Sequence, residues 1–296
     1  SEAVGTVKRI ASENASNVCA VDAAIKREKE TMADIQKMVE NTEDDIATIN
    51  HDRMHIHHDQ DNVVVTINDF APYTGYDRST GKFYGLDVEL LEYIYAKVGI
   101  AVQFRYNSFD TCIRHIRLGL ADLTPTLGYK SERAAFIDFS DPYIFEGNTF
   151  ILLTHKDSNL SIKQPQDLNE RTIGLIKGYD YPEKIVASKR IMKDYSSDAE
   201  GQVGKLIHRQ VDAIMITTDS LDDMLKKYGL KTLTKRMPLE LQDDTSETFM
   251  GFSKARKTDR LRAIFNEGLK AAVDDGYYEK VVKKYLGVSQ MPKEYN

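Results

Sequence analysis

From residue 62 onward the chain repeats one pattern, in which a short apolar run is followed by a turn and then by an amphipathic stretch of helical period. "VVVTI" (63–67), "AVQFRY" (101–106) and "ADLTPTL" (121–127) are the apolar runs, and "LDVELLEYIYAKVG" (86–99) and "FDTCIRHIRLG" (109–119) the helical stretches between them. Strand–helix–strand repetition predicts an α/β architecture with largely parallel sheets. The segment "FAPYTGYDRSTGKFYG" (70–85) reads as a turn-rich loop punctuated by Pro72, Gly75, Gly81 and Gly85. Asp87 then opens a helix that Gly99 ends, an acidic residue where it offsets the helix dipole.

A second set follows the first. "TIGLIKG" (172–178) and "VDAIMIT" (211–217) read as strands; "YPEKIVASKRIMKDY" (181–195), "EGQVGKLIHRQ" (200–210) and "SLDDMLKKYG" (220–229) read as helices. Two sets imply two lobes. The extended segments "NTFILLTHK" (148–156) and "TFMGFSK" (248–254) are placed to carry the chain from one lobe to the other and back. The tail from Asp259 to Gly287 reads as helical and returns to the first lobe.

The character of the chain differs before residue 60. No proline occurs there, and apolar or small residues recur every seventh position at Val4, Ala11, Val18, Ile25, Met32, Val39 and Ile46. The matching positions Val7, Asn14, Val21, Glu28, Ile35, Thr42 and Ile49 are alternately polar. This ladder fits either an intermolecular coiled coil over residues 4–49, hence a homo-oligomer, or a helix packed on the body of its own chain. In "HDRMHIHHDQD" (51–61), His51, His55 and His58 would share one face of a continued helix, as metal ligands do, or lie in a solvated linker. No Cys accompanies them, and no metal is assigned.

Composition excludes several functions. The net charge is −6, and the 40 Lys and Arg residues are scattered rather than clustered, so nucleic acid is not an expected partner. No run of about 18 apolar residues is present to form a spanning helix. The first residues, "SEAVGTVKRI", resemble what remains after cleavage at a small-residue site, which makes export an expectation. Cys19 and Cys112 lie in segments of different character and are expected to be free thiols. There is no Gly-rich phosphate loop, GxSxG elbow or paired Cys–His site, so neither catalysis nor a cofactor is expected.

One arginine stands out in "LTPTLGYKSERAAFIDFSDPY" (123–143). Arg133 offers a planar fork of donors that matches a carboxylate bidentately. On the residues alone that carboxylate is either a ligand's or that of Asp138 or Asp141. The succession "FAPYTGY", "GKFYGLDVELLEYIYAKVG", "RYNSFDTCIRHIRLGLADL", "KSERAAFIDFSDPYIFEGN", "DLNERTIGLIKG", "RQVDAIMITTDSL" and "DDGYYEKVVKKYLG", over residues 62–288, resembles the family 3 extracellular solute-binding proteins. These serve amino-acid ABC transporters and share their fold with the ligand cores of ionotropic glutamate receptors. The resemblance implies an α/β, two-lobed periplasmic binding protein type II fold, to which the heptad ladder adds an N-terminal helical extension that the resemblance does not cover. Residues 1–60 would be the helix or coiled coil with its His-rich linker, 62–154 with 250–288 the first lobe, and 155–249 the second.

The same resemblance implies a small carboxylate ligand, an amino acid first, captured in the periplasm by hinge closure and passed to a membrane permease. Arg133 would hold the α-carboxylate, with Phe70 and Phe109 against the carbon skeleton. The chain departs from the family at several points. Gly128 replaces the usual Thr or Ser five residues before the arginine, leaving only a backbone N–H there. Thr126 replaces a residue whose carbonyl commonly accepts the ligand amine. "KGYDYPEK" replaces a Gly-Thr-Thr helix start, where Gly178 and Tyr179 could still offer N–H groups to an anion. Where the family has an amine-binding Asp or Glu in the second lobe, this chain has Thr217, with Asp219 two residues later. Either Asp219 reaches the cleft, or the ligand lacks a standard α-amine. Two alternatives accompany transport: a periplasmic sensor acting through its coiled coil on a membrane receptor, and a cyclohexadienyl dehydratase-like enzyme with Asp180 or Asp219 as general acid.

Overall fold

The computed structural model describes residues 62–145, 147–242 and 247–287. The heptad ladder, Cys19, His51, His55 and His58 lie outside them. Twelve strands occur among the described residues: β1 (Asn62–Ile67), β2 (Gly75–Asp77), β3 (Lys82–Tyr84), β4 (Ala101–Tyr106), β5 (Leu123–Leu127), β6 (Ile137–Phe139), β7 (Thr149–His155), β8 (Thr172–Ile176), β9 (Met192–Ser196), β10 (Ala213–Thr217), β11 (Thr234–Gln242) and β12 (Phe249–Ser253). They form two five-stranded sheets, ordered β4-β1-β5-β12-β6 and β11-β7-β10-β8-β9, with β2 and β3 as a separate hairpin. In each sheet three strands are parallel, β4-β1-β5 and β10-β8-β9, as the strand–helix repetition requires. The antiparallel members include both crossing segments. β12 joins the first sheet between β5 and β6, and β7 joins the second between β10 and β11.

β7 pairs along its length within the second sheet. Residues 149–154, expected in the first lobe, therefore belong to the second. The expected helix over 181–195 is also replaced. Only Glu183–Val186 are helical, and Met192–Ser196 form β9, parallel to β8. β8 would otherwise present an unpaired edge, and pairing overrides the local helical pattern. β11 was not anticipated, although Met237, Leu239 and Leu241 are buried in strict alternation with exposed neighbours. Pro238 is tolerated because this is an edge strand.

The first lobe's core forms where the helix Leu86–Ala96 meets the tail helices Asp259–Asp274 and Tyr277–Leu286. Leu86, Leu90, Leu91 and Ile94 pack there with Phe265, Leu269 and Val282, all essentially without exposure. Each such side chain contributes about 1.5–3 kcal/mol on leaving water. Cys112 is a buried free thiol that accepts a hydrogen bond from the Thr66 hydroxyl, and burial pushes it up to about 12. The second lobe has a cluster on each face of its sheet, one around Ile173, Leu175 and Met215, the other around Ile151, Leu206 and Ile214.

Candidate functional site

The parallel strands fix where a site can be. β1, β5, β8 and β10 end at Ile67, Leu127, Ile176 and Thr217. Beyond the carboxyl ends of such strands lies the crevice in which α/β sheets meet ligands. The residues that follow these ends touch one another across the two lobes. Asn68 Nδ2 donates to Tyr179 Oη at 2.6 Å, and Tyr179 Oη donates to the Asp69 carbonyl at 3.2 Å. Tyr73 Oη donates to Asp219 Oδ2 at 2.9 Å, and Ser220 Oγ to the Ala71 carbonyl at 2.6 Å. Lys177 pairs with Asp110 at 3.1 Å, Arg78 with Glu200 at 3.2 Å, and Lys227 with Asp69.

Arg133 sits in the single helical turn Ser131–Ala134, and its side chain is only 7% exposed. A charge so removed from water needs partners. Its partner is neither Asp138, which faces Lys254, nor Asp141, but Asp180 of the opposite lobe. Nη1 donates to Asp180 Oδ2 at 2.8 Å and Nη2 to Oδ1 at 3.1 Å, a bidentate fork. Nη1 also donates to the Gly128 carbonyl at 3.2 Å and Nη2 to the Gly178 carbonyl at 3.3 Å. Lys130 adds a second cation to Asp180 at 2.5 Å. The Phe109 ring lies 5.5 Å from the guanidinium carbon, close enough for its face to attract the charge.

The structure gathers most of the residues singled out in the sequence. Phe70, Phe109, Thr126, Gly128, Tyr179 and Thr217 line one cavity of about 50 Å³ with Asp180; Arg133 adjoins it through Asp180, and the Gly178 carbonyl accepts from Arg133. Several act differently from expectation. Gly128 and Gly178 use their carbonyls on Arg133. The Tyr179 N–H donates to the Ile176 carbonyl, and the helix expected to begin at this turn starts only at Glu183. The Thr217 hydroxyl donates to Ser220 Oγ and accepts from the Ser220 N–H, closing a local turn. Asp219 is held by Tyr73 and does not line the cavity.

Sequence reasoning missed the group that shapes the end of β5. Asp87 is buried in the first turn of its helix, where Tyr143 Oη donates to it at 2.8 Å and the Thr126 hydroxyl donates to it as well. The Thr126 N–H in turn donates to Tyr143 Oη at 3.1 Å. Thr126 has φ 58°, a left-handed conformation that a threonine adopts only when its surroundings dictate it. Burial raises the Asp87 carboxyl from 3.8 to about 7, against the lowering effect of these two donors. The sequence signal was an Asp at a helix start, which reads as a dipole partner and does not reveal burial.

A larger groove of about 570 Å³ lies beside the closed contacts, bounded by Asp69, Tyr76, Tyr84, Tyr106, Asp223 and Tyr228. Among the described residues no cluster of three or more His, Cys, Asp or Glu is arranged to hold a metal ion.

Known proteins resemble this chain in sequence and in fold. A probable histidine-binding protein of Campylobacter jejuni is 27% identical over 210 residues, 70% of this chain and 78% of that protein. The probable amino-acid-binding protein YxeM of Bacillus subtilis is 25% identical over 217 residues, 71% of this chain and 78% of its own. Among solved structures, the substrate binding protein of an amino acid ABC transporter superposes with a TM-score of 0.66 at 21% identity, over 77% of this chain and all of that one. This likeness fixes the fold as that of the two-lobed periplasmic binding proteins. Residues 63–288 match the bacterial extracellular solute-binding proteins, family 3, and the chain belongs to that family.

Proposed function

We propose that this protein captures a small carboxylate solute, an amino acid first, between its two lobes and delivers it to an ABC-transporter permease from the periplasmic side of the membrane. The observation that carries the reading is the Arg133 fork. A buried guanidinium at the mouth of the parallel strands already holds a carboxylate bidentately, in the geometry a solute carboxylate would take. The names of the relatives, histidine-binding and amino-acid-binding, agree in solute class. Closure of two lobes over the solute would make binding a conformational signal to the permease.

An enzymatic role has less support. A general acid must be free to reach the proton it transfers. Asp180 is engaged by Arg133 and Lys130, and Asp219 by Tyr73. The sensor reading rests on the N-terminal ladder, which lies outside the described residues. Native mass spectrometry of protein purified without denaturation tests the proposal. An adduct with the mass of an amino acid, lost on unfolding, is expected; a co-purified solute without a carboxylate would contradict the assignment.

A further inference from the structure

The chemistry around Arg133 is complete without any solute. Both Nη1 hydrogens are directed at oxygen, one at Gly128 and one at Asp180, and both Nη2 hydrogens likewise, at Gly178 and Asp180. A guanidinium has only five N–H donors, so the paired face that would grip a solute carboxylate is taken. The neighbouring residue fills the rest of the space. The Tyr179 ring stands edge-on to Phe70 at 5.5 Å and to Phe109 at 5.2 Å, with interplanar angles of 73° and 81°. Its hydroxyl accepts from Asn68 and donates to Asp69, both of the other lobe. What remains is about 50 Å³, room for only a few waters at about 10–15 Å³ each.

The backbone is built for this insertion. Gly178 has φ +85°, and a Cβ there would meet the Phe109 ring at 3.0 Å. The turn that swings Tyr179 and Asp180 across the cleft is therefore open to glycine and strained for other residues.

We propose that Tyr179 and Asp180 are a tethered occupant of the solute site. The Asp180 carboxylate takes the place of a solute carboxylate on Arg133, and the Tyr179 ring takes the place of a solute's carbon skeleton between Phe70 and Phe109. A solute binds by displacing them, so only one that outbids this internal competitor is captured, and the same two residues hold the lobes together in its absence. The inference rests on the reading of Arg133 as a carboxylate site, and it adds a residue pair that sets the affinity threshold.

The test uses Asp180→Ala and, independently, Tyr179→Ala, each checked for folding by circular dichroism. Wild type and variants, stripped of bound solute by unfolding and refolding, are titrated with each of the twenty L-amino acids and measured by small-angle scattering without additive. Removing the competitor should tighten binding about tenfold or more, because apparent affinity is reduced by the fraction of molecules in the competent state. Both variants should also show a larger radius of gyration than wild type. Unchanged or weaker amino-acid binding by a folded Asp180→Ala, with unchanged dimensions, would overturn the proposal while leaving the solute-binding reading standing. If no amino acid binds any of the three proteins, the solute reading fails. The tethered occupant then fails with it, and expansion of Asp180→Ala would show only that the pair latches the two lobes.

Discussion

At Asp87 a carboxyl with no exposure to water accepts hydrogen bonds from Tyr143 and Thr126, and burial raises it from 3.8 to about 7. The unfolded chain ionises this group near pH 4, whereas the folded chain holds the proton until about pH 7. The stability it lends is therefore present at acid pH and is withdrawn as pH rises between those values, by an amount on the order of 4 kcal/mol. Asp87→Asn cannot ionise; its one oxygen still accepts from Tyr143, and its NH2 donates to the Thr126 hydroxyl in place of accepting from it. Thermal unfolding should show the variant more stable than wild type at pH 8, with the difference shrinking toward pH 4; a constant difference would mean that Asp87 does not titrate in this window. Asp219 gives a second expectation at this scale. Because it accepts from Tyr73 and stays off the cavity lining, Asp219→Asn should change amino-acid affinity by less than about 1.4 kcal/mol, a factor of ten. A larger loss in calorimetry would place its carboxylate on the solute amine.

Among the elements, the contact between Leu86–Ala96 and Asp259–Asp274 turns on one glycine. A Cβ on Gly268 would lie 2.4 Å from Ile94 Cγ2, in a core where Ile94 is 1% exposed. Alanine in a helix interior gains about 1 kcal/mol over glycine, but overpacking a closed core costs about 1–3 kcal/mol. The second effect is the larger here, because Ile94 has nowhere to move. Chemical denaturation should find Gly268→Ala destabilised, by up to about 2 kcal/mol, and the double variant with Ile94→Val partly restored; a stabilised single variant would show that the helices yield. Most of the strands and helices were legible from the sequence because their apolar periods are strong, as in Val63–Ile67 and Leu86–Ala96. β9 was not, since Met192–Ser196 owes its conformation to the edge of β8. β11 could have been found, because Met237, Leu239 and Leu241 alternate cleanly. At the site, the aromatic and arginine positions could be inferred from their loops, whereas the Asp180 pairing and the burial of Asp87 depend on contacts between segments far apart in the chain.

For the molecule as a whole, function turns on what two lobes can hold between them. The parallel strands of each sheet aim their carboxyl ends at a shared crevice, and Arg133 of one lobe meets the 178–180 turn of the other across it. The measurement that bears most directly on this account is calorimetric titration of wild type and Arg133→Ala with the twenty L-amino acids. Wild type should bind at least one saturably, and Arg133→Ala should bind it at least tenfold more weakly, a loss of about 1.4 kcal/mol or more, because the solute carboxylate then has no guanidinium to pair with. A folded Arg133→Ala that binds the same amino acid as tightly as wild type would contradict it.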